Sequence, residues 1–389
     1  MRIAHVVSYF QPEFGYEEYF SAREQAALGH EVHVITSDRI FPFRNVEKML
    51  SDIRSPYKGR KRPVGVEDME GFTVHRLKTS YEILYDFIVY KGIDEKLKEI
   101  GPDVVHAHNL WTWGTRCASK AKGRLGYRLI IDEHGYSTTY DQRRTFRNFL
   151  LDKEYRLFRA PIARRSLKKA DEVVAICAET VDFLKDFYNY DKAHMIPLGI
   201  DHRKFSMDEK ARTRIRKELG IGDGEYLLIT AGRLDSAKRL EHFIEAVNDM
   251  ERADVNFMVV GQGDDRYLDK LKKMAGPRVR FLGFKRSDEL ADLYRASDLG
   301  LWGKASITIR EAMGCQLPLV LFDEPNMKDL LKWDNGVYVD QDPKAIARTL
   351  SELLDDQERR EEMGLGARKG VVEELSVEVE AKKLLNLYS

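Results

Sequence analysis

The chain has 389 residues, of which 43% are hydrophobic and 33% are charged, an ordinary globular composition with enough length for two domains. Lysine plus arginine and aspartate plus glutamate each number 64, so the overall charge gives no argument for binding to nucleic acid. The 3 cysteines are widely spaced without a CxxC pair, which argues against a disulfide framework and favours a reducing cytoplasm.

The first half of the chain alternates predicted strands and helices. A buried strand at 3–7, a loop at 8–15, a helix at 16–28 and a strand at 31–36 predict a βαβ unit on a parallel sheet. Further strands are predicted at 72–77, 104–107, 128–131 and 172–176. Residues 39–70 are less regular, and we interpret their basic run, 58–63, as a solvated loop. One doubly wound domain is therefore predicted over residues 1–198.

The second half repeats the pattern. A charged helix at 209–219 precedes predicted strands at 226–230, 256–260, 279–282, 299–301 and 319–322. We therefore predict a second Rossmann-like domain over residues 199–374, and a final helix within 375–389 that packs back on the first domain. In such sheets ligands bind at the carboxyl ends of the strands, so we expect the site in the cleft between the domains.

The segment 301–318 runs from a strand through a loop into a helix that Gly314 and Pro318 end. Free backbone N–H groups and the positive end of the helix dipole make such a turn a seat for phosphate. The helix carries one acidic side chain, Glu311. An ordinary strand-to-helix turn is the alternative interpretation.

A second strand-end loop, 230–238, carries two cations. Gly232 permits a tight turn, and Arg233 and Lys238 can both point into the expected cleft, where two fixed positive charges suit a diphosphate. A pair of solvated surface charges is the alternative. The turn at 259–264 contains two glycines and is a weak indication by itself.

Two histidines follow predicted strand ends in the first domain. His108 and His134 could each donate a hydrogen bond to a sugar hydroxyl or to the leaving oxygen, whereas His106 alternates inward and is predicted to lie in the core. A structural role is the alternative for both. No HExxH spacing occurs, and Asp342 before Pro343 is interpreted as a helix N-cap, not a metal ligand.

Taken together, these residues resemble the retaining nucleotide-sugar glycosyltransferases of family 4, which have the α/β GT-B fold of two facing Rossmann-like domains. The likeness runs nearly end to end and rests on the order and spacing of short motifs. They lie at 12–15, 29–32, 103–108, 170–175, 196–201, Gly232-Arg233 with Lys238, 260–263, 281–283, and 311–313 with Pro318.

The resemblance implies transfer of a sugar from a nucleotide-diphosphate sugar to a glycan or lipid-linked acceptor. Arg233 and Lys238 would hold the donor diphosphate and stabilise the charge that develops on it as the glycosidic bond breaks. His108 would contact the transferred sugar. The departing phosphate would itself deprotonate the acceptor on the same face, so no dedicated general base is required. The resemblance also implies no metal and no cofactor.

The resemblance assigns the other contacts as well. Glu311 would bind the ribose, the backbone N–H groups of Ile307, Thr308 and Ile309 would bind phosphate, Phe284 would lie near the base, and the turn at Gly261 would belong to the donor site. Gly15 would let the acceptor or phosphate approach the backbone. Tyr16 and His134 are candidate contacts to acceptor or sugar.

The sequence departs from the family at two places. Gly303 stands where the family carries the first of two glutamates, and Gly15-Tyr16 replaces a Gly-Gly pair. Either the sugar is held differently, with help from Lys304, or donor turnover is impaired, and we favour the first. A non-catalytic nucleotide-sugar-binding protein, a sugar phosphorylase and a nucleotide-sugar epimerase are the alternatives.

A basic region from Arg143 to Lys169 is interleaved with aromatic and aliphatic residues. An amphipathic helix with a solvated face explains it, and the alternative is a surface that meets anionic lipid. The N-terminal apolar run is too short for a signal peptide, and no segment has the about 18 uncharged residues of a membrane span. We therefore expect a cytoplasmic protein that meets the inner face of the membrane only at its surface.

Overall fold

Two sheets of mainly parallel strands organise the chain, each in its own unit. The computed structural model describes residues 1–42, 46–53, 55–83, 87–134 and 152–389. The first unit comprises Met1–Leu198 with Val377–Ser389, and the second comprises Gly199–Ser376.

The first unit contains an eight-stranded sheet in the order β10-β9-β8-β7-β1-β2-β4-β3, in which β3 alone runs antiparallel to its neighbour, and a separate hairpin of β5 and β6. Its strands are β1 (Arg2–Val6), β2 (Glu31–Ser37), β3 (Gly65–Met69), β4 (Phe72–Leu77), β5 (Thr79–Ile83), β6 (Phe87–Tyr90), β7 (Val104–His108), β8 (Arg128–Glu133), β9 (Glu172–Ala175) and β10 (His194–Met195). Every residue of the central strand β7 is buried, as expected for a parallel strand with both faces covered.

Helices connect these strands, and capping residues mark their ends. They are α1 (Glu17–Ala27), α2 (Val46–Asp52), α3 (Ile93–Ile100), α4 (Trp113–Leu125), α5 (Ala160–Leu167) and α6 (Ala178–Tyr188). In α4, the side chain of Thr112 accepts a hydrogen bond from the Thr115 N–H at 3.2 Å, and Gly126 ends the helix at φ 82°.

The interpretation of 58–63 as a solvated loop was wrong for Arg62. Its side chain is only 1% exposed, donates to Glu13 Oε1 and to the Gly59 carbonyl at 3.0 Å each, and lies over the ring of Tyr57. Charge-assisted hydrogen bonds offset the hydration that the Arg62 side chain loses on burial. A sequence pattern does not reveal such bonds. The wider segment 39–70, predicted to be irregular, contains the helix α2 and the strand β3.

The second unit is a six-stranded, fully parallel sheet in the order β13-β12-β11-β14-β15-β16. Its strands are β11 (Tyr226–Ala231), β12 (Val255–Val260), β13 (Val279–Gly283), β14 (Leu299–Trp302), β15 (Leu319–Phe322) and β16 (Gly336–Val339). Its helices are α7 (Glu209–Leu219), α8 (Leu240–Asp249), α9 (Asp265–Met274), α10 (Ser287–Ala296), α11 (Ile307–Gly314), α12 (Pro343–Asp355) and α13 (Gln357–Glu374). The order reverses between β11 and β14, and ligands of doubly wound sheets bind at such a point.

The last helix, α14 (Val377–Tyr388), belongs to the first unit. Leu384 and Tyr388 are buried in the same cluster of apolar side chains as Ile3 and Val34. The hydroxyl of Tyr388 also lies 2.7 Å from His106 Nδ1, so the end of the chain reaches the polar centre of the first unit.

Candidate active site

A loop and a helix start in the second unit form a seat for an anion. Helix α11 begins after Ser306, whose extended backbone is that of an N-cap but whose side chain makes no capping hydrogen bond. The first N–H groups of a helix have no helical acceptor, so those of Ile307 and Thr308 are suited to bind an anion. The third predicted N–H group, that of Ile309, instead donates to the Ser306 carbonyl at 3.1 Å. The strand, loop and helix predicted over 301–318 are therefore confirmed.

The loop after β11 approaches this helix start closely. Gly232 has φ +133°, and a Cβ placed on it would lie 3.4 Å from Ser306 Oγ, 3.6 Å from Thr308 Oγ1 and 3.8 Å from Lys238 Nζ. Three polar groups therefore surround the Cα of Gly232. Gly261, at φ +135°, would place a Cβ only 1.9 Å from the Gly232 carbonyl oxygen, so glycine is required where the loops after β11 and β12 meet.

The positive charges around this seat exceed the negative ones. Lys238 is 9% exposed, and burial lowers the pKa of its ammonium to about 8; Asp235 opposes this shift, whereas Lys304 and Arg233 add to it. The Arg233 side chain is 77% exposed and pairs with Asp235 at 3.0 Å. Within the described part of the chain, neither Lys238 nor Lys304 forms an ion pair. Such a group of cations is poised for an anion.

Glu311 lies one turn into α11 and holds one carboxylate oxygen in a buried position. Its Oε2 atom is buried and forms no hydrogen bond with any described residue. Burial raises the pKa of Glu311 to about 7, although the positive charge of Lys204 acts against this shift. A buried acceptor without a partner is costly, and hydroxyl groups of a ligand would satisfy it.

Gly303 is closed to any side chain. A Cβ there would lie 2.1 Å from the Lys238 carbonyl oxygen and 2.9 Å from the ring of Phe322. The Arg239 side chain, from a residue at φ 51°, donates to the Gly303 carbonyl at 2.7 Å and fixes this close approach. The backbone therefore leaves no room for a glutamate here.

Phe284 follows the end of β13 and is half-buried. The preceding residue, Gly283, accepts a hydrogen bond from the Gly261 N–H at 2.8 Å, which places Phe284 next to the loops already described. The second unit thus brings together, at the carboxyl edge of one sheet, the predicted donor residues other than Gly15, which belongs to the first unit. Their contacts to a ligand stay predictions.

The first unit contains a buried polar cluster that the sequence reasoning only partly identified. Strand register pairs His5 of β1 with His106 of β7, and His108 of β7 with Asp132 of β8. His108 Nδ1 lies 2.5 Å from Asp132 Oδ2, and His108 Nε2 lies 3.0 Å from His5 Nδ1. The second ring nitrogen of His5, Nε2, lies 2.9 Å from the side-chain carbonyl oxygen of Gln25.

The start of α1 covers the cluster from one side. His134 Nε2 lies 3.0 Å from Glu17 Oε1 and 3.4 Å from Asp132 Oδ1. Burial acts against a charged His134, but Glu17 and Asp132 raise its pKa well above the usual value. Burial, and then repulsion from Glu17, raises the pKa of Glu18 to about 8.

The prediction that alternation separates His106 from His108 was wrong. Residues two apart point to the same face of a strand, and β7 is covered on both faces, so both side chains are only 2% exposed. His106 is buried, as predicted, and its ring stacks on that of His108 with centroids 4.5 Å apart. Both ring nitrogens of His108 have neighbours within the cluster, and its contact to a transferred sugar stays a prediction.

The remaining predicted residues lie where the sequence placed them. Gly15, at φ 68°, ends the 3-10 turn Pro12–Phe14, and Tyr16 is the 38% exposed residue before α1. Asp342 is the predicted N-cap and accepts from the Ala345 N–H at 3.0 Å. Of the basic region at 143–169, residues 143–151 lie outside the described residues.

Comparison with known proteins agrees with this architecture. Residues 21–204 match the family described as Glycosyltransferase Family 4, and residues 211–370 match Glycosyl transferases group 1. An uncharacterised glycosyltransferase of Methanocaldococcus jannaschii is 27% identical over 83% of this chain and 85% of its own. The N-acetyl-alpha-D-glucosaminyl L-malate synthase of Bacillus anthracis is 24% identical over 92% of this chain and 88% of its own.

Solved structures share the fold. The Anabaena protein HepE, in complex with UDP and glucose, superposes with a TM-score of 0.70 at 15% identity, covering 99% of this chain and 98% of its own. WaaG, a glycosyltransferase involved in lipopolysaccharide biosynthesis, superposes with a TM-score of 0.70 at 17% identity, covering 100% of this chain and 99% of its own. The chain therefore belongs to the group 1 glycosyltransferases of family 4 type, and it is a glycosyltransferase with the GT-B fold.

Proposed function

We propose that the chain transfers a hexose or related sugar, with retention at the anomeric carbon, from a nucleotide-diphosphate sugar to a glycan or lipid-linked acceptor. The bond between C1 of the sugar and the diphosphate oxygen breaks, and a bond from the acceptor oxygen to C1 forms on the same face. The acceptor proton passes to the departing phosphate, so no protein base is needed.

The observation that carries this proposal is the surplus of cations around Gly232 in the second unit. A buried lysine, Lys238, lies there beside the start of α11 with no ion-pair partner among the described residues, and Lys304 adds a further charge. As the glycosidic bond breaks, negative charge grows on the diphosphate. Lys238, Arg233 and the N–H groups of α11 stabilise that charge, which lowers the barrier to transfer. With these cations, the diphosphate needs no divalent ion for charge neutralisation.

Glu311 completes the donor site in this proposal. Its buried and unpartnered carboxylate oxygen accepts from the ribose hydroxyls. The residues after β13, near Phe284, lie beside the base. Solved GT-B structures that contain UDP-glucose, such as that of HepE, support a nucleotide-sugar donor.

The test is release of nucleoside diphosphate from a panel of nucleotide sugars by the purified full-length chain. Arg233→Ala and Lys238→Ala should each lower turnover by at least about 100-fold, the usual effect of removing a group that stabilises the transition state. Lys270→Ala is the matched control, because this exposed lysine of α9 pairs with Glu241. Full activity in both site variants would contradict the assignment.

A lipid-linked acceptor is supported by an exposed apolar pair in the described part of the basic region. Leu157 and Phe158 are each 67% exposed, beside Arg156, whose side chain is 58% exposed. Apolar side chains next to cations favour a surface that meets anionic lipid. A relative named alpha-monoglucosyldiacylglycerol synthase, from Acholeplasma laidlawii, is 25% identical over 82% of this chain and 79% of its own. Among the described helices, none is both long and apolar enough to cross a bilayer.

Flotation with vesicles tests the membrane part of the proposal. We expect the chain to float with vesicles that contain anionic lipid and not with neutral ones, and Leu157→Glu with Phe158→Glu to abolish flotation. Leu365→Glu is the matched control, since Leu365 is 63% exposed in the second unit. Flotation that is absent, or equal for both lipid compositions, would count against a cytoplasmic enzyme that works at the membrane surface.

A further inference from the structure

We propose that Tyr388, in the last helix, is a positioning residue for His108: it closes a ring of polar side chains and so keeps that histidine doubly protonated at the end of β7. The link to donor binding rests on the transfer proposed above. The polar ring joins six buried side chains, which are, in order, Tyr388, His106, Asp132, His108, His5 and Gln25.

Hydrogen bonds form four sides of the polar ring. The Tyr388 hydroxyl lies 2.7 Å from His106 Nδ1 and accepts from Gln25 Nε2 at 3.2 Å. Gln25 Oε1 lies 2.9 Å from His5 Nε2, and the other nitrogen of His5 lies 3.0 Å from His108 Nε2. The side chains of α1 and α14 therefore connect the histidines of β1 and β7.

Asp132 closes the remaining two sides with one oxygen. Its Oδ2 atom lies 2.5 Å from His108 Nδ1 and 3.4 Å from His106 Nε2. Both are ion-pair contacts rather than well-directed hydrogen bonds. Each nitrogen nevertheless carries a proton there, because a lone pair that faced a carboxylate at this distance would be repelled. Burial acts against the charge of Asp132, but His108 and His134 hold the pKa of its carboxyl well below the usual value.

The numbers of donors and acceptors fix the charge of the polar ring. A neutral imidazole, the glutamine amide and the tyrosine hydroxyl each donate once and accept once along it. The carboxylate of Asp132 only accepts, and it accepts on both sides. One member must therefore donate on both sides, and an imidazolium is the form of histidine that can do so.

The direction of the hydrogen bonds places the second proton on His108. Gln25 donates to Tyr388 and accepts from His5 Nε2, so the lone pair of His5 is on Nδ1 and accepts from His108. The Tyr388 hydroxyl donates to His106 Nδ1, so the single proton of His106 is on Nε2. His108 thus donates from both ring nitrogens.

The surrounding charges agree with this assignment. Burial lowers the pKa of His5 and that of His106, the first well below the usual value. Burial acts against a charged His108 too, but Asp132, followed by the carboxyl groups of α1, raises its pKa. The titratable groups around His108 are His5 on β1, His106 on β7, Asp132 and His134 at the end of β8, Glu17 and Glu18 at the start of α1, and Glu380 and Tyr388 on α14.

The second proton matters for a ligand that carries negative charge. His108 and His134 supply two positive charges against the carboxylates of Asp132 and Glu17. Glu18, with a pKa of about 8, is mostly protonated at pH 7. With His108 neutral, this part of the carboxyl edge would be net negative and would repel the diphosphate of the proposed donor.

NMR of the full-length chain with ¹⁵N-labelled histidine tests the protonation directly, and His108→Gln identifies the signals. In the unaltered chain at pH 7, both His108 nitrogens should be protonated, whereas His5 and His106 should be neutral. Tyr388→Phe removes the acceptor for the Gln25 amide, which can then turn and donate to His5. His5 would in turn donate to His108, so His108 should titrate at lower pH than in the unaltered chain.

Calorimetric titration with nucleoside diphosphate measures the consequence for binding. Tyr388→Phe should bind about tenfold more weakly at pH 8 and as the unaltered chain does at pH 6, where His108 is protonated in both. Gln25→Met opens the polar ring at a neighbouring side and should give the same loss. The double variant should lose no more than either single variant, because the ring is already open, whereas independent structural effects would add.

Tyr127→Phe is the matched control, because this buried hydroxyl of the first unit donates to the Ala118 carbonyl at 2.5 Å, outside the polar ring. It should leave the titration of His108 and nucleotide binding unchanged. A neutral His108 in the unaltered chain, or unaltered His108 signals in Tyr388→Phe, would overturn the positioning role. A charged His108 that responds to Tyr388→Phe in a chain that binds no nucleotide would support that role and count against the proposed transfer alone.

Discussion

Replacing Glu311 with glutamine should stabilise the chain while weakening its binding of nucleotide. The folded pKa of Glu311 is about 7, against an ordinary value of 4.5, so the folded chain holds this proton more tightly than the unfolded chain. Between these pH values the unfolded chain binds fewer protons, and the free energy of unfolding falls as pH rises. The difference between the two pKa values corresponds to a loss of about 3 kcal/mol in the free energy of unfolding above pH 7. Below pH 4.5 there is no loss, because the group is protonated in both states.

Glutamine stays neutral at every pH and therefore escapes this loss. Denaturant unfolding of the full chain at pH 5 and pH 8 should show Glu311→Gln close to the unaltered chain at the lower pH. At the higher pH it should be more stable by up to about 3 kcal/mol. In calorimetric titration the same variant should bind nucleoside diphosphate about tenfold more weakly, because an amide oxygen is a poorer acceptor than a carboxylate.

Two control variants separate this explanation from a general effect of the substitution. Glu362→Gln, at an exposed position of α13, should change stability little at either pH. Lys204→Met removes the charge that opposes the raised pKa of Glu311, so the loss of stability with rising pH should become larger. A stability difference for Glu311→Gln that is the same at pH 5 and pH 8 would refute the reasoning.

Further predictions concern the same site. Because the Lys238 pKa is about 8, affinity for nucleoside diphosphate should fall as pH rises from 7 to 9, and binding near pH 8 should take up protons, which calorimetry in buffers of different ionisation enthalpy detects. Lys238→Arg should bind without this pH dependence, and a retained dependence would assign it to another group. Gly303→Ala should cost about 1 to 3 kcal/mol in denaturant unfolding and lower nucleotide release, because its Cβ would overlap the Lys238 carbonyl. Gly123→Ala, whose Cβ meets no atom within 4 Å inside α4, should be neutral or stabilising, and equal effects of the two alanines would contradict the packing argument.

Much of the fold could be predicted because buried parallel strands are short continuous apolar runs. The strands predicted at 72–77 and 319–322 coincide with β4 and β15. The four-residue strand β16 was missed, since Gly336-Val-Tyr-Val gives too little pattern to separate it from a turn. The strand-end positions of the proposed donor residues could be predicted for a related reason, because strand ends are visible in sequence, and their contacts to a donor stay predictions.

The polar cluster of the first unit could not be predicted, because it depends on register between strands. His108 meets Asp132, and His5 meets His106, only through the alignment of β1, β7 and β8. One sequence signal was available. His106 and His108 are two residues apart, as are Asp132 and His134, and residues two apart along an extended strand point to the same face. Glu17, from a helix start more than 80 residues before His108, gave no such signal.

At Gly303 the sequence shows that an acidic residue is missing, and the structure shows why it is missing. The sequence shows that an acid of the family pattern is missing, which left impaired turnover and a different mode of holding the sugar as alternatives. The structure shows that no side chain fits, because the Lys238 carbonyl occupies the place of a Cβ and Arg239 fixes the backbone around it. Restoring glutamate at this position would therefore displace the backbone of Lys238, the residue on which the proposed diphosphate site depends. The glycine and the lysine are parts of one arrangement, so in the proposed transfer the sugar hydroxyls would bind to other side chains, for which the notable candidate is Lys304, the residue after Gly303.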